Sequence, residues 1–311
     1  MKTYYNLDNF EGKRPVLTIG TFDGVHLGHQ KVISRLKDFT VKHEGESVVF
    51  TFYPHPRLVL SPEKSDLRLL TTRDEKIRLF AESGIDHLII FPFTKEFSRL
   101  SYTEFVKQIL VDKINTHCLV VGYDHKFGNN REGGFEYLKK CANKYNFKTE
   151  KLEALLIDDV NVSSTKIRAA LQEGNISTAN RYLGYSYTLH GTVVKGNRIG
   201  RKMGFPTANV ASSDIHKLIP GHGVYAVKIR LNGNNYNGML NIGTRPTFNS
   251  NADNRSIEVN IFDFDGDIYN QEITLIFAGK IREEKKFDGV DALVAQLKKD
   301  KIKALNILNQ N

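Results

Sequence analysis

The chain has few cysteines and no long apolar run, and each absence excludes a class of protein. Its 311 residues include two cysteines, Cys118 and Cys141, which are too few for a disulfide framework and lack metal-ligand spacing. No stretch approaches the roughly 20 apolar residues of a membrane span, and the N-terminal residues lack the apolar core of a signal peptide. We therefore expect a cytoplasmic protein without a membrane partner, in which the Cys118 thiol is free and buried.

Basic residues outnumber acidic residues without forming a nucleic-acid motif. The chain has 44 Lys and Arg against 35 Asp and Glu, which gives a net charge of +9. These cations are spread along the sequence, and the cluster at 280–286 is interrupted by two glutamates. A surface that attracts polyphosphates accounts for the charge, so nucleic acid is not an expected partner. The sequence does not indicate an oligomeric state.

The first half of the sequence alternates apolar strands with amphipathic helices. Strands are predicted at 15–19, 48–52, 87–91, 118–121 and 148–156, and helices at about 30–42, 72–80, 102–112 and 134–145. Thr72 and Glu75 form a capping box at the start of the second helix. Continuous apolar strands separated by helices are typical of a parallel sheet that is covered on both faces. We therefore predict an N-terminal α/β domain that binds ligands at the carboxyl ends of its strands.

From about residue 186 the pattern changes to alternating strands with Gly and Asn turns. Strands are predicted at 187–194, 223–231, 236–242, 256–262 and 272–278. A closed or partly closed antiparallel β-barrel fits this pattern best. The apolar side of a terminal amphipathic helix is predicted to contain Val290, Leu293, Val294, Leu297, Ile302 and Leu305. The length suggests two domains, and two short helices at about 164–173 and 176–183 place their boundary between residues 184 and 185.

Residues 20–30, GTFDGVHLGHQ, join the first predicted strand to the following helix. Their glycines let the backbone approach a ligand closely, and the start of the helix offers free N–H groups to an anion. His26 and His29 add donors where phosphate charge would develop. Two histidines in a tight loop are also compatible with a purely structural role.

Three further segments have residue types that suit nucleotide and ring binding. The Ser/Thr run at 163–165 caps a helix in which Arg168 follows one turn later, although a capped surface helix has the same pattern. The segments 51–57 and 122–128 combine aromatic residues with Pro or Gly after predicted strands. They suit either an apolar slot for a flat ring or a rigid loop.

The second half contains its own candidate residues. Thr207 and Asn209 offer two oxygens that suit a hard cation bound to phosphates, although Pro-Thr-x-Asn is also a common turn. Glu258 and Asn260 alternate with apolar residues in a predicted strand, so they share one face. A single glutamate in a strand is also compatible with an exposed surface carboxylate.

Several of these strings resemble one family. His26-Leu27-Gly28-His29 resembles the signature loop of the nucleotidyltransferase superfamily, in which it binds ATP and stabilises the transition state at the α-phosphate. The segments 51–57 and 122–128 look like the flavin-adenylyltransferase half of the bacterial bifunctional riboflavin kinase/FAD synthetase family. Five further strings of this chain are similar to the riboflavin kinase module of the same family, at 206–209, 223–227, 241–248, 256–261 and 263–267.

The resemblance implies two activities that both use ATP and Mg²⁺. Residues 1–184 would adenylylate FMN to FAD, and residues 185–311 would phosphorylate riboflavin to FMN. The implied catalytic residues are His26, His29, Arg168 and Glu258, with Glu258 as the base toward the riboflavin hydroxyl. The implied ATP contacts are Gly20, Phe22, Asp23, Gly24, His26, His29, Ser164, Thr165, Arg168, Gly196, Gly204, Thr207 and Asn209. The implied flavin contacts are Phe52, Pro54, Pro56, Asp124, Phe127 and Glu258, and the implied Mg²⁺ ligands are Thr207 and Asn209.

Three residues depart from the family pattern. His125 occupies a position where the family usually has Phe, Lys166 one where Arg is common, and Asn260 one where His is frequent. Two alternatives stay open at this point. One is an enzyme with a single flavin activity and one degenerate module, and the other is a non-catalytic protein that binds flavin or nucleotide.

Overall fold

The computed structural model describes residues 1–62, 66–122, 135–152, 156–157, 160–196, 200, 203–244 and 255–310. Met1–Ser163 and Ser164–Asn311 form two compact units, and each is described by itself. Within the described ranges, no helix has both the length and the apolar content that crossing a membrane requires.

A six-stranded parallel sheet forms the centre of the first unit, as predicted. Its strands are β1 (Lys2–Tyr4), β2 (Pro15–Ile19), β3 (Glu46–Tyr53), β4 (His87–Pro92), β5 (Cys118–Val121) and β6 (Lys148–Lys151). Their order is β1-β4-β3-β2-β5-β6, and each adjacent pair is parallel. A separate hairpin pairs β7 (Leu156–Ile157) with β8 (Val160–Asn161). The sequence pattern missed β1, and it extended the strand at 148–156 beyond the end of β6.

Helices cover both faces of this sheet. They are α1 (Leu27–Lys42), α2 (Pro56–Leu60), α3 (Arg73–Ser83), α4 (Lys95–Ser98), α5 (Tyr102–Glu104) and α6 (Phe135–Tyr145). Leu17 belongs to one buried cluster with Leu138, whereas its neighbour Val16 belongs to another with Phe80. Since successive strand residues point to opposite faces, the two clusters lie on the two sides of the sheet. Every residue of β2 is buried between them.

The capping box predicted for α3 is confirmed. The backbone N–H of Glu75 donates to the Thr72 hydroxyl at 3.2 Å, and the backbone N–H of Thr72 donates to the Glu75 carboxylate at 2.8 Å. The helix ends at Gly84, whose φ of 71° is left-handed and therefore suits glycine. Local sequence is sufficient to define both ends of this helix.

The helix predicted over 102–112 is present, but its hydrogen bonding changes along its length. After α5 the chain continues as a π-helix over Phe105–Lys113. The residues that this segment buries against the sheet are Phe105, Val106, Ile109 and Leu110. Apolar spacing predicts which face is buried, whereas the π-type bonding is not apparent from that spacing.

A closed antiparallel barrel of six strands forms the second unit, as predicted. Its strands are β9 (Thr188–Val194), β10 (Ala208–Ser212), β11 (Gly223–Leu231), β12 (Asn234–Thr244), β13 (Arg255–Ile261) and β14 (Glu272–Arg282). Their order around the barrel is β10-β13-β12-β11-β14-β9. The sequence pattern did not assign β10 to a strand, and this strand carries Asn209.

Two helices precede the barrel and pack with it. They are α7 (Ser164–Gln172) and α8 (Ile176–Leu183). The side-chain amide of Asn180 in α8 donates to the carbonyl of Phe277 in β14 at 2.9 Å. The two compact units therefore meet in the sequence just before α7. The functional boundary predicted between residues 184 and 185 stays a prediction.

The terminal helix α9 (Val290–Asn309) is present, but part of its predicted apolar side is wrong. Ala304 and Leu308 are buried against the barrel residues Ala226 and Met239. Val290 and Ile302 are exposed, at 61% and 62%. The remaining predicted side chains, Leu293, Val294, Leu297 and Leu305, are partly buried. The barrel covers only a narrow stripe of α9. The broad apolar side predicted from the sequence is therefore wider than the face that is buried.

Candidate active sites

The histidine loop lies between β2 and α1 at the carboxyl edge of the parallel sheet. The helix begins at Leu27 rather than near Gln30, and the N–H of Gln30 donates to the carbonyl of His26 at 2.9 Å. His26 is therefore the N-cap residue, and His29 lies in the first turn. Both imidazoles thus lie at the end of a helix where backbone N–H groups are available to an anion.

The two imidazoles stack on each other. Their ring centroids are 3.7 Å apart at an interplanar angle of 19°, and the ring of Phe22 meets His29 edge-on at 5.2 Å. Among the described residues, Nδ1 of His29 has no hydrogen-bond partner. Burial, followed by the charges of His26 and Lys76, lowers the pKa of His29 well below its ordinary value. His29 is therefore neutral at neutral pH, and a nearby phosphate favours its protonation.

Other predicted ATP contacts in this loop anchor it to the fold. Phe22 is buried in the core, and a Cβ at Gly20 would lie only 3.1 Å from its ring. The buried carboxylate of Asp23 accepts hydrogen bonds from the backbone N–H of Thr71 and of the preceding residue. The N–H of Gly24 donates to the Thr71 hydroxyl at 3.1 Å. These contacts hold the loop in one conformation, and direct contacts of these residues with ATP stay a prediction.

Lys76 is a buried cation beside the loop, and the sequence interpretation did not include it. It lies in α3, is 8% exposed, and donates from Nζ to the carbonyl of Thr21 at 2.7 Å. It also lines a narrow cleft that includes Phe52 and His55. The one sequence signal for this placement is its spacing from Phe80, because residues four apart share a helix face and Phe80 is buried.

Phe52 forms part of an aromatic cluster at the end of β3. Its ring centroid lies 5.4 Å from that of Phe93 and 5.8 Å from that of Phe97, and neither partner was predicted. Pro54 follows β3, and Pro56 is the first residue of α2. The arrangement gives an apolar surface next to the cleft, as a flat ring requires. The remaining predictions for this region lie outside the described residues and concern Asp124, His125 and Phe127.

The predicted phosphate-binding helix is the first element of the second unit. α7 begins at Ser164, Thr165 is exposed, and Arg168 follows one turn later and is half-buried. Lys166 is also exposed, so the departure from Arg leaves a cation on the surface of the helix. Contacts of this helix with ATP phosphates stay a prediction.

The Pro-Thr-x-Asn segment packs against glycines. A Cβ at Gly196 would lie 2.0 Å from the amide nitrogen of Asn209, so only glycine admits this side chain. A Cβ at Gly200 would lie 3.4 Å from the hydroxyl of Thr207. Gly204 has a left-handed φ of 78° at the turn that leads into the segment. The glycine backbone therefore approaches both oxygen-bearing side chains closely.

Thr207 and Asn209 fit a Mg²⁺ ion that is bound mainly by phosphate. A hydroxyl and an amide two residues apart offer the hard oxygen ligands that Mg²⁺ prefers. In the part of the chain that the structure describes, no group of three His, Cys, Asp or Glu could hold a metal by itself.

Glu258 lies between two asparagines on neighbouring strands. In the barrel register it pairs with Asn209 of β10 on one side and with Asn241 of β12 on the other. Directly paired residues point to the same face, whereas the next residue, Val259, points away and is fully buried. The amide of Asn241 donates to the Glu284 carboxylate at 3.4 Å. The barrel thus brings together three predicted strings and adds Asn241 and Glu284, whose roles the sequence did not reveal.

Asn260 ties this strand to the Pro-Thr-x-Asn segment. It is 7% exposed, and its amide donates to the carbonyl of Pro206 at 2.7 Å. A histidine at this position, which is frequent in the family pattern, has a ring N–H that suits the same bond. The departure therefore keeps a hydrogen-bond donor next to Thr207.

Comparison with known proteins covers both units. The family model described as FAD synthetase matches residues 9–166, and the one described as riboflavin kinase matches residues 183–308. A bifunctional riboflavin kinase/FMN adenylyltransferase of Listeria monocytogenes is 40% identical over 305 residues, or 96% of each chain. This chain belongs to the bifunctional riboflavin kinase/FMN adenylyltransferase family.

Other relatives agree with this membership. The bifunctional riboflavin kinase/FMN adenylyltransferase of Escherichia coli K12 is 36% identical over 301 residues, which cover 96% of this chain and 95% of that protein. A solved structure described as a macrolide-efflux protein from Streptococcus pneumoniae superposes with a TM-score of 0.88 at 31% identity and covers 98% of both chains. The bifunctional relatives thus cover the sequence of both units of this chain.

Proposed function

We propose that this chain makes FAD from riboflavin in two ATP-dependent steps. The barrel unit phosphorylates riboflavin to FMN, and the parallel-sheet unit transfers the adenylyl group of ATP to FMN. The main support is that one chain of this family contains both sites. His26 and His29 stack at the start of a helix, and Glu258 pairs with Asn209 in the barrel. A protein that only binds flavin has no use for both arrangements.

In adenylyl transfer the protein supplies position and charge. A phosphate oxygen of FMN forms a bond to the α-phosphorus of ATP, the bond to the β-phosphate oxygen breaks, and pyrophosphate leaves with the electron pair. His26 and His29 donate to the oxygens on which negative charge develops, aided by the N–H groups at the start of α1. The buried carboxylate of Asp23 fixes the loop, so these donors are in place before the reaction.

Ser164, Thr165 and Arg168 supply further phosphate contacts in this proposal. Hydroxyls and free N–H groups at a helix start bind phosphate oxygens, and a guanidinium one turn later adds charge-assisted hydrogen bonds. Support comes from the end of the first unit, where the carbonyl of Val162 lies 3.6 Å from the position that a Cβ of Gly28 would take. The last residues of the first unit therefore pass the histidine loop.

In phosphoryl transfer Glu258 acts as the base. Its carboxylate accepts the proton of the riboflavin 5′-hydroxyl while that oxygen bonds to the γ-phosphorus and ADP leaves. The paired neighbours Asn209 and Asn241 are neutral amides, so Glu258 supplies the carboxylate in this row. Thr207 and Asn209 would hold Mg²⁺, which neutralises phosphate charge when it is bound.

The proposal also includes a functional domain boundary and a cellular location. We place the functional boundary near residue 184, which agrees with a kinase family match that begins at residue 183. We place the enzyme in the cytoplasm, because Cys118 and Cys141 are free thiols and a reducing compartment keeps thiols unpaired.

Two variants test the assignment of the two activities. The double change His26→Ala and His29→Ala should abolish FAD formation from FMN and leave FMN formation from riboflavin intact. Glu258→Ala should do the reverse when FMN is supplied. Chromatography of riboflavin, FMN and FAD after incubation with ATP and Mg²⁺ measures both activities. Glu272→Ala, at the exposed start of β14, is the matched control and should keep both.

The results separate the alternatives. Wild-type chain that yields neither product contradicts the proposed function. A single product identifies an enzyme with one degenerate module. Loss of both activities in the double histidine variant would contradict the assignment of the histidines to FAD formation alone.

A further inference from the structure

Lys76 carries a buried ammonium group that forms no ion pair with a carboxylate of the described residues. It is 8% exposed, and within the described residues its only hydrogen bond is the one that Nζ donates to the carbonyl of Thr21. The nearby carboxylate of Asp23 is engaged by backbone N–H groups at 70–71. An ammonium has three donors, and lysine is rarely buried unless it is paired. Two donors of Lys76 therefore have no acceptor in the described part of the chain.

The ammonium lies between the two parts of the proposed adenylyltransferase site. On one side, the carbonyl of Thr21 belongs to the histidine loop and also accepts a hydrogen bond from the Thr51 hydroxyl at 3.2 Å. On the other side, Lys76 shares its cleft with Phe52 and His55. An anion placed between the ATP loop and the aromatic surface would supply acceptors to the two remaining donors.

We propose that Lys76 binds the phosphate group of FMN and thereby selects FMN over riboflavin as the adenylyl acceptor. The inference rests on the adenylyltransferase function proposed above. The phosphate monoester of FMN supplies anionic oxygens to the two remaining donors, whereas riboflavin has no phosphate at all. Lys76 takes no proton in the reaction, since it holds one phosphate oxygen while another attacks the α-phosphorus.

The protonation of Lys76 gives the proposal a pH signature. Burial lowers the pKa of Lys76, and the charge of Asp23 opposes this effect in part. Lys76 therefore loses its proton at a lower pH than an ordinary lysine, and the KM for FMN should rise as the solution becomes alkaline. An arginine stays charged throughout this range. The titratable and charged groups around the ammonium are Asp23, His29, Tyr53, His55 and Arg73.

Two variants of the full-length chain test the proposal. Lys76→Met removes the charge and keeps the side-chain length, so the KM for FMN should rise about tenfold or more, as expected for a lost charge-assisted hydrogen bond. The KM for ATP should rise less than the KM for FMN, because Lys76 acts on the ATP loop only through the carbonyl of Thr21 and through its charge at His29. The riboflavin kinase activity should change less than about twofold, because its site does not include this group. Lys76→Arg should keep more of the FMN affinity and lose the alkaline rise of its KM.

Stability and a matched control complete the test. Removal of an unpaired buried charge should leave the urea midpoint of the first unit unchanged or higher, whereas a structural lysine would lower it. Lys37→Met is the control, because Lys37 also donates to a backbone carbonyl, that of Ser83 at 3.0 Å, but is exposed. Its KM for FMN should match that of the wild type.

The outcomes distinguish this inference from the proposed function. If wild-type chain forms no FAD from FMN and ATP, the proposed function fails. If it forms FAD but Lys76→Met raises both KM values equally or neither, the role of Lys76 is wrong. An unchanged alkaline rise in Lys76→Arg also overturns it, and that measurement remains informative if Lys76→Met does not fold.

Discussion

Asp300 gives the sharpest stability prediction for the second unit. It lies in α9 with no exposed surface and accepts hydrogen bonds from Arg282, from Nε at 3.1 and 3.0 Å and from a terminal guanidinium nitrogen at 2.8 Å. The amide of Gln296 donates a further bond at 2.9 Å. This ion pair joins the terminal helix to β14. The change Asp300→Ala removes the carboxylate and leaves the guanidinium, whose side chain is only 17% exposed, without its partner.

The expected cost follows from that burial. Breaking a buried ion pair by removing one partner costs about 3–5 kcal/mol. In a unit of this size each kcal/mol lowers the melting temperature by about 2–4 °C, so the expected decrease is about 6–20 °C. Calorimetry of the full chain measures the transition of this unit, and riboflavin kinase activity after heating assigns it. FAD formation from FMN should survive to the wild-type temperature.

A nearby exposed pair provides the control. Asp263 pairs with Lys301 at 3.3 Å, and the Asp263 side chain is 90% exposed, so Asp263→Ala should cost less than about 1 kcal/mol. Combining Asp300→Leu with Arg282→Met should recover most of the loss, because an apolar pair replaces both charges. If Asp300→Ala is no more harmful than Asp263→Ala, burial does not determine the strength of this ion pair.

Three further predictions concern single contacts. Burial and neighbouring lysines lower the pKa of His43 in the folded chain. The stability that the neutral His43 contributes is therefore full above pH about 6.5 and is lost as pH falls through the folded pKa. His43→Gln should reduce the fall in melting temperature on acidification, and an unchanged fall would contradict this. Thr72→Ala removes the hydroxyl that caps Glu75 and should cost about 1 kcal/mol in urea unfolding, whereas Thr72→Ser should cost little. Asn260→Leu should raise the KM of the kinase for ATP, because it removes the hydrogen bond to the carbonyl of Pro206, and Asn260→His should restore the KM. Equal KM values in both variants would exclude this hydrogen bond as the cause.

Local sequence was sufficient to predict most elements of this chain. The bounds of β2 and β5 agree with the prediction to the residue, and the capping box of Thr72 and Glu75 marks the start of α3 as observed. Strand alternation, continuous apolar runs and caps depend on neighbours within a few residues, so they are visible without the fold. The position of the histidine loop after an apolar strand follows from the same local pattern.

Which side chains meet depended on tertiary structure. Alternation places Glu258 on a face, but only the closure and register of the barrel bring it next to Asn209 and Asn241, which are distant in sequence. The exposure of Val290 likewise depends on how little of α9 the barrel covers. In the sequence, Lys76 is indistinguishable from an ordinary helix lysine. Only the packing of α3 against the histidine loop buries its charge. Residue type and spacing are local properties, whereas burial and contacts between distant segments arise when the whole chain folds.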